Sequence, residues 1–449
     1  MMSLTEAAAL TSARTSGTDV RFDGVSTDSR SLERGQLFVA LRGERFDGHD
    51  FLAAAAGRGA AAALVDARYQ GLYPLPVIIV EDTKRALGEL ARQWRARFAP
   101  ALVAVTGSNG KTTVKEMLAA ILRRHGGERA VLATAGNLNN DIGVPLTLLR
   151  LRPEHRWCAI ELGMNHRGEI AQLAQIAAPT VALVNNAQRE HLEFMESVDD
   201  VAAENASVYD ALPAAGVAVV NADDGHAAFF RRRAGARRVV DFGTGGATVS
   251  GGYVLKELSS ELGLRTPQGE AQATLAIPGL HNVRNAFAAA ACAHAAGIEL
   301  ASIAEGLSAF RPYTGRLQVK QARDGLTVID DSYNANPDSV RAAIDVLASC
   351  PAPTVLVLGD MGEVGPQGPE FHREIGAYAR SRGVTRLLAL GEASAHAVAA
   401  FGSGAEHFAD VESLVPAIRG RTVLVKGSRF MRMERVVAAL TGAHTEGAH

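Results

Sequence analysis

Residues 104–118 read AVTGSNGKTTVKEML: an apolar run, a turn holding two glycines, then a lysine and a helical pattern. Few folds accommodate that order. The run ALVAVTG predicts a buried strand, and Val114, Met117, Leu118, Ile121 and Leu122 recur at i, i+3, i+4, i+7 and i+8, the spacing of one helix face. Gly126 and Gly127 stand where that helix should end. A strand that turns through Gly107, Ser108, Asn109 and Gly110 into a helix aims backbone N–H groups and the positive end of the helix dipole at one point. That point suits a polyphosphate, with Lys111 as the cation for its β- and γ-phosphates and Thr112, followed by Thr113, offering a hydroxyl to Mg²⁺. The loop lacks the first glycine of the common G-x-x-x-x-G-K-[ST] spacing. Alone it does not separate a motor, a switch, a kinase and a ligase.

With 449 residues, 47% of them hydrophobic, the chain exceeds one core, and two or three domains are expected. Lys+Arg total 46 against 48 Asp+Glu, a net charge of -2, so no global attraction for nucleic acid or an anionic membrane exists and phosphate binding must be local. No basic stretch with an apolar core opens the sequence, and the alanine-rich run 53–63 is broken by Gly57, Arg58 and Gly59. Neither export nor membrane insertion is expected, and the location expected is cytoplasmic. Cys158, Cys292 and Cys350 are odd in number, far apart and set in apolar segments, and so read as buried reduced thiols.

Short β-branched runs alternate with helical patterns, and no fixed-period repeat is present, which predicts an α/β chain. Residues 1–80, ending in PVIIVED, form a small N-terminal α/β domain. Residues 81–311 form a central P-loop domain, its parallel sheet wound with helices and built from ALVAVTG, CAIELG, VALVNN and GVAVVNADD. The segment FRPYTGRLQ is the junction to a Rossmann-like C-terminal domain, 312–449, with strands in LTVIDDSYN, TVLVLGD, RLLALGE and TVLVKGS. The tail 441–449 lacks apolar periodicity and is expected to fray.

Polar residues gather where these strands end. Glu161 closes the apolar run of AIELGMNHRGEI, and Asn186 and His191 follow VALVNN, positions at which open α/β sheets bind ligands. A carboxylate and an imidazole near the phosphate loop would complete a Mg²⁺ site. In TAGNLNNDIGVPLTLL, Asn137, Asn139, Asn140 and Asp141 precede a helix started by Pro145; they are either ligand-facing amides or turn residues that cap the helix. Lys426, Ser428 and Arg429, after the last strand, either bind an anionic group or form a solvent-facing basic turn.

Together these segments resemble the Mur ligase family, the ATP-dependent amide-forming enzymes of peptidoglycan precursor synthesis, whose form of the loop is TGSNGKTT. GNLNNDIGVPLTLL, IELGMNHRGEI, DDSYNANPDSV, LGDMGEVG and LVKGSRFMRME are similar to those members that join D-alanyl-D-alanine to UDP-N-acetylmuramoyl-tripeptide. The resemblance implies ATP and Mg²⁺ as cofactors, with the triphosphate on Ser108 to Thr113 and Mg²⁺ near Thr112, Glu161 and His191. It implies His281 and Asn282 near the adenine, and Arg316 and Asp331 reaching ATP across the junction. The UDP end would meet Thr27, Asp28, Ser29, Arg30 and the backbone at Ala40 and Leu41. Asn137, Asn140, Asn334, Asn336 and Lys426 would serve the peptide substrates. A monomer is expected. The alternatives left by the residues are another Mur-type or folylpolyglutamate-type ligase and a non-catalytic ATP-binding regulator.

One position departs from the family's pattern. Members commonly carry, after the His191 motif, a lysine that becomes carbamylated and bridges Mg²⁺, and a gapless reading of VAAENASVYDALP puts Asn205 there. Glu204 is the nearest acid, either a substitute ligand or a solvated residue on a surface helix over 198–212.

Overall fold

The computed structural model describes residues 1–44, 46–322 and 325–442; the expected fraying concerns a tail that, from 443, lies outside the described residues. The stretch 101–127 folds as its pattern predicts. Ala101–Thr106 is a strand, Lys111–Gly126 is a helix ended by Gly127 at φ 83°, and Val114, Met117, Leu118, Ile121 and Leu122 are fully buried. Each such side chain contributes about 1.5–3 kcal/mol by leaving water.

That strand lies inside a six-stranded parallel sheet, in the order Arg238–Phe242, Val217–Asn221, Val181–Val184, Ala101–Thr106, Trp157–Glu161, Val131–Ala133. The chain begins at Ala101–Thr106, builds toward one edge, then crosses to build toward the other. The carboxyl ends of Ala101–Thr106 and its two neighbours therefore flank the switch point, where such sheets open a crevice. Glu161 pairs beside Val105 and Val184 beside Thr106, which brings the segments after 106, 161 and 184 to one place.

The expected strands of the other regions also form. Val77–Val80 joins Ala62–Asp66, Gln36–Val39 and Gly24–Ser26 in a parallel arrangement edged by antiparallel Arg14–Ser16. Thr327–Asp331, Thr422–Lys426, Thr354–Gly359, Arg386–Leu390 and Ala405–Phe408 run parallel, with Gln318–Gln321 antiparallel at the edge. The strands Val131–Ala133, Arg238–Phe242, Gln318–Gln321 and Ala405–Phe408 and an antiparallel meander, Tyr253–Leu255, Ser260–Thr266 and Gly269–Leu275, were not expected. The helix expected to begin at Pro145 spans Gly143–Leu148, with Pro145 inside the first turn, where its missing N–H costs nothing. The three cysteines are buried free thiols. Among the described residues no helix is long and apolar enough to cross a membrane.

The last sheet is tied to the central one by charge. Arg189, in the segment after Val181–Val184, donates to Asp338 at 2.6 Å and to Glu374 at 2.7 Å, and Arg341 shares Glu374 at 3.1 Å.

Truncating the core behind the phosphate loop tests this packing. Leu118→Ala should lower unfolding free energy by roughly 2–5 kcal/mol, read from urea denaturation; an unchanged midpoint would contradict the burial of that face.

Candidate active site

The loop after Ala101–Thr106 requires glycine at two points. Gly107 has φ +129°, and a Cβ there would lie 2.9 Å from the backbone nitrogens of Asn185 and Asn186; Gly110 has φ +82°, and a Cβ there would lie 2.4 Å from Asn285 Oδ1. Backbone conformation and space both exclude larger residues. Between them the Asn109 peptide is held by amides. Its N–H donates to Asn186 Oδ1 at 2.8 Å, and its carbonyl accepts from Asn185 Nδ2 at 2.7 Å and Asn186 Nδ2 at 3.0 Å. The Asn109 side chain donates to Gln188 Oε1 at 2.7 Å. The loop's shape is thus set by the segment 185–188 before any ligand arrives.

A cavity of about 480 Å³ opens on this loop, lined by residues 108–113, Glu161, Glu190 and His191 and, from the last sheet's side, by Arg316, Tyr333 and Lys426. Glu161, at 2% exposure, accepts on Oε1 from Thr112 at 3.2 Å and from Asn139 at 2.8 Å, while its buried Oε2 has no partner. A buried carboxylate oxygen left open beside a hydroxyl is the donor set of a hard cation. Lys111 donates to the carbonyls of Gly107 at 2.6 Å and Ser108 at 3.1 Å and to Glu190 Oε1 at 3.0 Å. Burial acts to raise the Glu190 carboxyl, yet Lys111 and His191 hold it below the ordinary carboxylate range.

His191 lies between two acids. Its Nε2 is 3.4 Å from Glu190, and its Nδ1 is 2.6 Å from Glu363 across the junction, in ion-pair contact and not in line for a hydrogen bond. Burial disfavours the charged ring, but the two carboxylates outweigh it and raise His191 to about 9. Both His191 (φ 52°) and Glu363 (φ 59°) adopt the left-handed region, a strained conformation that tertiary contacts must maintain. Among the described residues no three acidic, histidine or cysteine side chains form a ready-made metal centre, so a cation here would draw ligands from phosphate and water, as Mg²⁺ commonly does.

A second cavity of about 240 Å³ adjoins the loop from the other side, lined by Asn186, His281, Asn282, Asn285, Arg316 and Asp331. Burial lowers His281 to about 4, with Lys426 adding to the effect, so the ring is neutral. Arg316 stacks over Tyr333, 4.2 Å from the ring centroid, and reaches both cavities. Asp331 and Lys426 meet at 2.6 Å; burial pushes the acid up and the lysine down, and their contact is what keeps two charges in this interior.

Other expected positions fall as follows. Asn137 and Asn140 line the first cavity, and Asn140 also accepts from the N–H groups of Ile142 and Gly143, so it acts as a turn residue as well. Asn334 and Asn336 line the same cavity; Asn336 caps the helix Pro337–Ala348 and donates to Asn109 Oδ1 at 2.8 Å. Lys426 lines both cavities with its ammonium engaged by Asp331 and the Asn334 carbonyl. Thr27, Asp28, Ser29, Arg30, Ala40 and Leu41 line neither cavity. They follow Gly24–Ser26 and Gln36–Val39 in the N-terminal sheet, where Asp28 binds Arg30 at 2.8 Å.

Glu204 is neither a solvated residue nor a lining residue of the cavity. It is buried, and its two oxygens accept from the N–H groups of Gly168 and Ile170, each at 2.8 Å, at the start of the helix Glu169–Ala177. Asn205 is fully buried. It accepts from the Thr106 hydroxyl at 2.7 Å and donates to the Val201 carbonyl at 2.9 Å, so its amide braces the end of the strand that leads into the loop. Glu190, Glu363, Asn185 and Asn285 were not singled out in sequence. The first and third adjoin residues that were, and that adjacency was the available signal; Glu363 and Asn285 arrive through tertiary packing alone.

Comparison with known proteins matches this chain to the Mur ligase middle domain over residues 105–293, to the Mur ligase glutamate ligase domain over 315–429, and to the Mur ligase family catalytic domain over 21–95. It is 43% identical over 435 residues to the UDP-N-acetylmuramoyl-tripeptide–D-alanyl-D-alanine ligase of Escherichia coli, covering 94% of this chain and 95% of that one. The enzyme of the same name from Haemophilus influenzae is 39% identical, with 94% of each chain covered. Among solved structures, MurF from Acinetobacter baumannii superposes with a TM-score of 0.90 at 35% identity, covering 98% of both chains. MurF ligase from Thermotoga maritima in complex with ADP gives 0.80 at 26% identity, covering 94% of this chain and 97% of that one. With a glycine-built phosphate loop at the switch point of a parallel sheet, and relatives aligned along almost its whole length, the chain belongs to the Mur ligase family.

Proposed function

We propose that this protein joins D-alanyl-D-alanine to UDP-N-acetylmuramoyl-tripeptide at the expense of ATP, releasing ADP and phosphate, in the cytoplasmic assembly of peptidoglycan precursors, and that it acts as a monomer. The observation that carries the reading is the cavity in which residues 108–111 and Glu161 face Arg316 across the junction, in a chain that aligns over 94% of its length with enzymes named for that reaction.

In this reading residues 1–80 hold the UDP end, through Thr27 to Arg30 and the backbone at Ala40 and Leu41. Residues 81–311 hold ATP, its triphosphate on Ser108 to Thr113 and its adenine in the second cavity beside His281 and Asn282. Residues 312–449 bring Arg316 and Asp331 to ATP and receive the dipeptide near Asn334, Asn336 and Lys426. The open oxygen of Glu161 fits a divalent cation, which Thr112 and Glu161 would hold, with His191 as a further ligand once its ring gives up the proton that Glu190 and Glu363 favour, and which would neutralise phosphate charge.

The chemistry explains these charges. A peptide carboxylate attacks the γ-phosphorus, and two anions are brought together; Lys111 and Arg316 lower that cost in a site from which water is partly excluded. ADP leaves, and an acyl phosphate remains. The amine of D-alanyl-D-alanine attacks its carbonyl carbon, the tetrahedral intermediate collapses, phosphate departs and the amine proton is released. Because an acyl phosphate hydrolyses when water reaches it, division of the site between two domains allows closure to shield it.

Incubation with UDP-linked tripeptide, ATP, Mg²⁺ and D-alanyl-D-alanine should yield the UDP-linked pentapeptide by mass spectrometry; ATP hydrolysis without ligated product would exclude the reaction. Lys111→Ala should abolish ligation yet leave UDP-tripeptide affinity within about twofold by calorimetry, whereas equal loss of both affinities would contradict the division of labour. In the absence of divalent cations the His191 ring should titrate near 9 by NMR, and Glu363→Gln should move it toward the ordinary 6.5. Because the folded value is raised, its contribution to stability is complete below about 6.5 and is lost as pH rises through about 9. Unfolding measured across that interval should show the decline, and Glu363→Gln should flatten it.

A further inference from the structure

The Lys111 ammonium has three N–H donors, and all three are engaged: two by carbonyls of its own loop and the third by Glu190 Oε1 at 3.0 Å. The loop carbonyls are neutral and belong to the cradle itself. Glu190 is different, being an ionised group from another segment that occupies the lysine as a phosphate oxygen would. Its side chain is 11% exposed, its Oε2 is buried without a partner, and it lines the same cavity as Glu161, whose Oε2 is likewise open. Elsewhere on that wall Asp141 is paired with Lys84 at 2.7 Å, and His191 lies between Glu363 and Glu190 itself, 3.4 Å from the latter.

We propose that Glu190 is a built-in competitor for the phosphate loop: it holds Lys111 while the site is empty, is displaced when a nucleotide's phosphates take the lysine, and then turns its carboxylate to the divalent cation. Nucleotide and cation are thereby coupled through one side chain. Without a cation, a bound polyphosphate takes Lys111 away and leaves Glu190 only the His191 ring at 3.4 Å, with other anions beside it, which opposes binding. With a cation present the displaced carboxylate gains a partner, and the opposition is removed. Glu190 acts on the nucleotide by positioning Lys111, and this inference rests on the assignment of the cavity to ATP.

Glu190→Gln keeps the shape and removes the charge. ADP binding by calorimetry, with chelator and then with saturating Mg²⁺, separates the possible results. The variant should bind ADP about tenfold more tightly than wild type in chelator, and the gain in affinity that Mg²⁺ confers should shrink by a similar factor, a coupling of ordinary size. Glu190→Ala should show the same loss of coupling, which guards against an effect peculiar to the glutamine amide. Circular dichroism and a thermal melt establish that each variant is folded. Weaker or unchanged binding in chelator, or an undiminished Mg²⁺ effect, would overturn the proposal while leaving the nucleotide site intact. Failure of wild type to bind ADP under either condition would overturn the nucleotide assignment and this inference with it.

Discussion

The course of residues 107–111 depends on how closely the segment 185–188 can approach it. Two glycines clear the space, and the amides of Asn185 and Asn186 then clasp the Asn109 peptide from both of its polar atoms. Because the partners follow the neighbouring strand of the same sheet, the register of that sheet is carried directly into the loop. The helix behind it is anchored by a fully buried face, so loop, helix and strand ends are packed as one unit.

Charge is arranged around this unit in layers. Glu161 takes the Thr112 hydroxyl on one oxygen and leaves the other open, while Lys111 lies along the loop and Glu190 balances it. From across the junction come Arg316 on its tyrosine platform, the Asp331–Lys426 pair and Glu363. The site is therefore complete only when two sheets stand together, which suits an intermediate that must be kept from water.

Much of this was legible in the sequence, and the reasons are local. The strand, turn and helix at 101–127 follow from apolar period and glycine spacing, and Glu161 and His191 follow from their places at strand ends. What escaped depends on packing. Asn205 braces the strand beneath the loop and Glu204 caps the helix Glu169–Ala177, uses that neither gapless correspondence nor helical period in VAAENASVYDALP announces. Asn140 shows why the choice between cap and ligand stayed open in sequence: it turns the chain with its side chain while lining the cavity. Glu363, distant in sequence, meets His191 only because the last sheet docks beside the first cavity.

The clasp on Asn109 consists of neutral amides, whereas one tie between the two sheets, the Arg189 guanidinium with Asp338 and Glu374, is made of charges. These respond differently to the medium. Mobile ions screen partly exposed charges over about 10 Å at 0.1 M salt, and they leave amide–carbonyl contacts nearly untouched. Rising ionic strength should therefore weaken that charged tie while the amide clasp keeps the loop's shape, and the apolar core that the two sheets share holds them together in brine.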